Sequence, residues 1–331
     1  MKRVFISMFI ALMAITTVQA QQIAVVTGST TKMYQTLAEA IGGASNGSVI
    51  YLPGGGFQIS DDVKITKKVT IIGIGHKAVS ENADGNTVIS GNLFFNEGSD
   101  GSAVMGCYIS GHVLVGYDNT SVNNILVKLC NLNHVNVYSP KCTGTIVNQN
   151  YIRDYSFFGF ASGEFTNNVA HSVCNLNGGE ISYNIFLGSY YNSRTTLGIL
   201  CDCNNCTISN NIFAYNRTDT ESSESPSSCD NCITSNNMAL NYEWGDDPIN
   251  LDASSWDDVF ENYNNRTISP TSNYSFKKNY KQYDNQVGIY GGTGFAPNAL
   301  PPVPYIVNKN IDPQTDAAGM LKIQVRVKAG E

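Results

Sequence analysis

Charge is what this chain has least of. Asp, Glu, Lys and Arg make up only 14% of its 331 residues, well under the roughly 25% of an ordinary globular domain. Cations are the scarcer half, with 20 Lys and Arg against 27 Asp and Glu. Without the two cations of residues 1–20, eighteen face the same acids and the formal charge is −9. That balance excludes nucleic acid and anionic membrane surfaces as partners, because both are held by clustered Lys or Arg. Long apolar runs are also missing beyond residue 20, so no later segment is expected to span a membrane. The four His, at 76, 112, 134 and 171, have no ligand-like spacing, and no metal site is expected from them. Arg is rare too, and Arg153, Arg194 and Arg217 fall in turns or loops of the pattern described below.

Residues 1–20 read as a secretory signal peptide. Lys2 and Arg3 form the basic head, Val4 to Ile15 the apolar stretch and Val18-Gln19-Ala20 the small-residue cleavage pattern. The apolar stretch is too short to span a bilayer comfortably, and no Cys follows it to carry a lipid. The expected product is soluble and exported: secreted, periplasmic or on the cell surface.

What the chain does have is a repeated phrase. Val147-Asn148-Gln149-Asn150, Phe165-Thr166-Asn167-Asn168, Ile181-Ser182-Tyr183-Asn184, Ile208-Ser209-Asn210-Asn211 and Thr234-Ser235-Asn236-Asn237 share a final Asn. These marker Asn recur at steps of 18, 16, 27 and 26 residues, and weaker copies with Cys in the marker place occur at Cys107 and Cys130. A period near twenty with variable steps means one short unit, stacked, with insertions confined to loops. Three residues before the marker stand Val147, Phe165, Ile181 and Ile208, and two after it Ile152, Ala170, Phe186 and Phe213. These face the core, and the polar residues between them face solvent. The phase changes at the marker, so the chain bends there. Asn suits the bend because it tolerates left-handed backbone angles and bonds backbone groups. Stacked, such side chains form a ladder.

The nine Cys fall into the same register. Cys206 and Cys232 lie five residues before their markers, Cys142, Cys203 and Cys229 eight before, and Cys174 and Cys201 ten before. Stacked internal thiols are one reading. One or two disulfides between coils are a second, since parallel strands about 4.8 Å apart just meet the Cα separation a bridge needs. A zinc site at Cys203-x-x-Cys206 and Cys229-x-x-Cys232 is a third. We expect Cys206 and Cys232 to be internal, with no metal or other cofactor.

Short strands on both sides of a tight bend, repeated about every twenty residues, describe an all-β right-handed parallel β-helix solenoid. An amphipathic helix is expected over Tyr34–Ile41, followed by Gly47–Gly55 as a first strand with a Pro-Gly turn and Ile65–Gly73 as a second. Over residues 31–292 the chain resembles the pectate-lyase-like superfamily, whose members open with such a capping helix. The segment Asp284–Gly292 resembles the closing motif of bacterial secreted β-helix proteins. The resemblance implies a fold and little about activity, because this fold hosts lyases, hydrolases, isomerases and non-enzymatic adhesins. The expected organisation is a signal peptide at 1–20, a capped β-helix over 21–292, and a proline-containing linker with a C-terminal strand over 293–331. That strand, Leu321–Lys328, alternates apolar and polar residues. It is expected either to dock on the solenoid's open end or to be donated to another protein.

In polysaccharide-active members, the resemblance implies, the groove runs over the strand before the one ending at the marker. Its outward positions fall nine and seven residues before the marker: Lys141 and Thr143, Asn175 and Asn177, Asp202 and Asn204, and Ser228 and Asp230. Asp202, Asp230 and Lys141 are the acid–base candidates; Asn175, Asn177 and Asn204 are candidate binding residues. Glu164 and Glu180 hold equivalent positions in adjacent coils, on a different strand. The aromatic run from Trp244 to Tyr290, including Trp256, is read either as an apolar end cap or as a sugar-stacking platform. Two functions follow. One is a glycan- or partner-binding protein without a catalytic motif. The other is a polysaccharide lyase or glycoside hydrolase on the Asp202/Asp230 face, with Ca²⁺ if a lyase.

Overall fold

The computed structural model describes residues 22–331 apart from 79–84, 189–190, 193–194, 197–199, 215–228, 241–242, 264–267, 296–299, 312–313, 315–318, 321 and 329–331. The signal-peptide reading, Arg194, Arg217 and Ser228 therefore lie outside the described residues.

The chain is mostly β, in two long and predominantly parallel sheets. In the first, Val127, Val147, Phe165, Ile181, Ile208 and Thr234 stand side by side in successive strands. In the second, Tyr151, Val169, Ile185, Ile212 and Met238 do the same. A third row of strands belongs to the second sheet: Leu93–Phe95, Val113–Val115, Val135–Val137, the far halves of Tyr151–Phe157 and Val169–Cys174, and Leu200–Cys201. Each strand's neighbours thus lie one repeat before and one after it, an arrangement compatible with a β-helix-like solenoid. The inward columns form one buried core running from Ile23 to Ala239. Within it Phe165, Phe186 and Phe213 stack with centroids 6.1 and 5.8 Å apart.

The marker Asn form the expected ladder. Asn150, Asn168, Asn184, Asn211 and Asn237 are all buried. Each of the first four donates its side-chain amide and its backbone N–H to the Oδ1 of the next, at 2.8 to 3.2 Å. Their amides also reach back to the carbonyls of Val127, Val147, Phe165 and Ile181. One expectation needs correcting: the left-handed residue is the one before the marker. Gln149, Asn167, Tyr183, Asn210 and Asn236 have φ between 52 and 59. The division follows from space, since the left-handed residue projects outward while the marker must turn inward to bond its neighbours.

At the N-terminus, antiparallel strands Ile23–Thr27 and Thr30–Tyr34 extend the first sheet. The helix α1 spans Leu37–Gly43 and buries Leu37, Ala40 and Ile41. It starts later than the apolar spacing suggests because Thr36 and Glu39 cap it reciprocally, each accepting the other's backbone N–H at 3.2 Å. Tyr34 ends a strand instead.

The aromatic run builds a second core. Trp256, Phe260, Tyr274 and Phe276 bury against Tyr151, Val169, Ile185, Ile212 and Met238 on the outer side of the second sheet. While Trp244 packs on the main core at Phe213, this part of the run covers a flank. The segment after it runs back along the marker bend. Gly288 N–H binds the Asn210 carbonyl at 2.8 Å, Asn167 donates to the carbonyls of Ile289 and Gly291, and Gln149 to that of Gly294. Further on, Pro301 packs on Gly106. The C-terminal strand, Ile323–Lys328, pairs antiparallel with Tyr305–Ile311 in a two-stranded sheet of its own, and not with the last strands of the two long sheets. Ile323, Val325 and Val327 remain exposed.

Candidate functional site

The carboxylates singled out from the sequence lie at a corner, not on a strand face. Asp202 follows the strand Leu200–Cys201 in a left-handed turn with φ 49, and Asn175 holds the same place one coil earlier with φ 57. Asn177 pairs with Asn204, and Asn204 Oδ1 accepts the backbone N–H of Asp230 at 2.9 Å. Asp230 therefore stacks over Asn204, not over Asp202, and the two aspartates do not form a pair. Lys141 is exposed in the equivalent turn of an earlier coil. These residues turn the chain from the third row into the first sheet, a task for which Asn and Asp are suited by their tolerance of left-handed φ.

Trp256 is not part of a platform. Trp256 is fully buried, with one ring face taken by Phe260 at 5.3 Å. It presents nothing to a ligand. Trp244 is half-buried and sets its edge 5.3 Å from Phe213, closing the end of the phenylalanine stack.

The third row carries the richer chemistry. His112 and His134, one coil apart, stack 3.7 Å apart and 9° from parallel, and Tyr155 follows at 5.6 Å and 27°. The strand Tyr151–Phe157 has a register shift between Ile152 and Tyr155 against its neighbour. Bulges of this kind re-aim side chains. Here the shift sets Arg153 and Asp154 beside the His stack. Asp154 Oδ2 lies 3.8 Å from His134 Nδ1, an electrostatic contact too long for a hydrogen bond. On the other side of that ring, Nε2 meets the Asn136 amide at 3.1 Å. Burial alone pushes the Asp154 carboxyl up, but His134, the Tyr155 N–H and His171 outweigh it, and the pKa ends below the ordinary value. Arg153 is held rigid: its guanidinium donates to Asn131, Asn133 and the Ile109 carbonyl and lies 4.5 Å over Tyr108. Burial, foremost, lowers the pKa of both His112 and His171, so both imidazoles are neutral at pH 7.

A second line of rings borders this face. Tyr117 meets Tyr138 edge-on at 5.1 Å and Phe94 at 5.2 Å, and Lys64 Nζ sits 3.2 Å above the Phe94 ring. Tyr138 is 42% exposed. Leu114 and Asn136, neighbours in register, lie between the two lines. Two lines of rings thus run along one outward face, with an imidazole–carboxylate pair in one of them.

A separate cleft of about 440 Å³ opens on the outer face of the first sheet, where Glu164 and Glu180 pair in register. Lys128, Tyr183 and Thr293 help line it. Glu180 accepts a hydrogen bond from Ser182. Among the described residues no group of three or more His, Cys, Asp or Glu is placed to hold a metal ion.

No family model, curated protein or solved structure matches this chain. The scattered His concealed the site in sequence. The available signal was their spacing: His112, His134 and Tyr155 follow one another at 22 and 21 residues, close to the period of the repeat.

Proposed function

We propose that this chain is an exported right-handed parallel β-helix, closed at its N-terminal end by α1, that holds an extended glycan along the outward face of the third row of strands. The observation that carries the reading is the His112–His134–Tyr155 stack beside the Tyr117–Tyr138 line. Sugar rings present apolar C–H groups that pack on exposed aromatic surface such as that of Tyr138, while their hydroxyls bond His, Asn and Asp. Stacked coils repeat these contacts along one axis, which suits a polymer better than a single small molecule. Low positive charge favours neutral or weakly acidic glycans over polyanions. The test is binding to a panel of neutral and acidic polysaccharides by affinity electrophoresis, with Tyr138→Ala and Tyr155→Ala alongside. We expect retardation by at least one neutral glycan and at least tenfold weaker binding in each variant. No retardation, or retardation unchanged in both variants, overturns the reading.

The His134–Asp154 contact favours a second reading, a polysaccharide lyase or glycoside hydrolase working on this face instead of at Asp202 and Asp230. A carboxylate beside an imidazole is a recurrent arrangement in general acid–base sites. Incubation with the same panel, with and without Ca²⁺, would yield unsaturated products or new reducing ends, abolished in His134→Ala. Binding without either product leaves the first reading alone.

A further inference from the structure

Thiols crowd one corner of the last coils. Cys174 pairs in register with Cys201, and the motifs at Cys203-x-x-Cys206 and Cys229-x-x-Cys232 lie one coil apart. The backbone N–H of Cys206 points at Cys232 Sγ at 3.3 Å, and the Cys232 thiol donates to the Cys203 carbonyl at 3.1 Å. Thr207 pairs with Ile233 in parallel strands, so Cys206 and Cys232 each stand one residue before a paired position. Parallel strands run about 4.8 Å apart, within the 4.4–6.8 Å Cα range that a disulfide bridges.

We propose that Cys206 and Cys232 form an inter-coil disulfide when the protein meets an oxidising thiol–disulfide buffer. Both carry free thiols in the structure. Cys206 is buried and Cys232 half-buried, which makes Cys232 the sulfur that a solution oxidant reaches first. Its thiolate attacks one sulfur of oxidised glutathione and expels one glutathione thiolate. Cys206 then gives up its proton and attacks the Cys232 sulfur of the mixed disulfide, expelling the second. Two electrons pass from the cysteine pair to the oxidant, and the two protons end on two glutathione thiols. Burial raises the Cys206 thiol to about 11, so the second step is the slow one.

The bond would act where the stack is weakest. Ile233–Ser235 is the last strand of the first sheet, held on its far side, among the described residues, by the bridge from Ser235 to Asp246 and the Asp246 N–H on Thr234 Oγ1, and Ile233 is 69% exposed. Terminal units of a stacked array have one neighbour and fray first. A covalent tie from Cys206 to Cys232 fastens that strand to the coil beneath it.

The experiment is oxidation of the native full chain with oxidised glutathione, followed by denaturation in iodoacetamide, proteolysis and mass spectrometry. The expected product is one peptide linking Cys206 to Cys232, absent from Cys232→Ser. Oxidation should also raise the Tm by roughly 5 °C or more, with no such rise in the variant. Recovery of a Cys203–Cys206 link, or of Cys206 and Cys232 both alkylated after prolonged oxidation, overturns the proposal. The peptide map of the unmutated chain decides the matter even where the variant folds poorly.

Discussion

The imidazoles of His112 and His134 lie 3.7 Å apart and nearly parallel, a spacing at which two protons would repel strongly. Burial is the first reason that the pKa of His112 is low, and the neighbouring His134 the second. His171 is also lowered, chiefly by burial, and His76, whose ring edge packs on Tyr151, is pushed down to about 4 by burial.

These shifts set the direction of the pH response. Each of the three His binds its proton more readily in the unfolded chain than in the fold, so stability is full above about pH 6.5 and falls on acidification. For His76 the loss runs from about 6.5 down to about 4 and amounts to about 3 kcal/mol. Asp154, whose folded pKa is depressed, loses its contribution in the same direction at still lower pH. Denaturant unfolding between pH 7.5 and 4 should show the decline, and His76→Phe should flatten it. A profile independent of pH would contradict the burial of these rings.

The asparagine ladder predicts a position-dependent cost. Asn184→Leu would orphan the Phe165 carbonyl and the Asn168 N–H in the interior. The expected loss is about 3 kcal/mol, from about 1–3 kcal/mol per buried unsatisfied group. Asn237 ends the ladder, and Asn237→Leu should cost less. Equal losses in chemical denaturation would mean that the ladder's ends are held as firmly as its middle.

Gly291 and Gly292 pass over the Tyr183 ring so closely that a Cβ on either would lie 2.4 or 2.8 Å from it. Gly291→Ala should therefore destabilise the chain by about 1–3 kcal/mol through overpacking. Pairing it with Tyr183→Ala should recover part of that loss, and a double-mutant cycle measures the coupling. Strictly additive losses would argue against the contact.

Trp256 and Tyr138 should separate stability from binding. Trp256→Ala empties a buried site and should cost about 3–5 kcal/mol. Tyr138→Ala, on the surface, should change stability by no more than about 0.5 kcal/mol while weakening glycan retention. Thermal melts and affinity electrophoresis on the same preparations test both halves.

Removal of residues 306–331 should leave the melting temperature within about 2 °C of the full chain. The hairpin closes on itself, Tyr305 stays in place, and surface elements contribute little to the body they leave. A large drop would mean that the hairpin supports the body after all.

The repeat was legible because each marker Asn does the same physical task in every coil, and the pairing of Glu164 with Glu180 followed from counting residues. The site was not legible, for two reasons. Arg153 and Asp154 sit in a register shift that moves the outward face of the third row away from positions counted back from the marker. Asn175 and Asp202, taken for groove residues, are turn residues with positive φ, and Asn and Asp look the same in sequence whichever task they perform. The aromatic run showed that something apolar must be covered but not which surface, because a flank and an end demand the same residue types. The terminal strand's alternation identified a strand correctly without naming its partner, since Tyr305–Ile311 shows no comparable pattern.

The returning segment Gly288–Gly294 touches coils at Asn210, Asn167 and Gln149, and Pro301 beyond it packs on Gly106. Stacked repeats ordinarily feel only their immediate neighbours and can melt from one end, coil by coil. A strap bonded to several coils at once couples units that never meet, because losing the last coil means surrendering contacts with the others. Unfolding should accordingly be a single sharp transition in this chain, with breadth appearing only once the strap is cut.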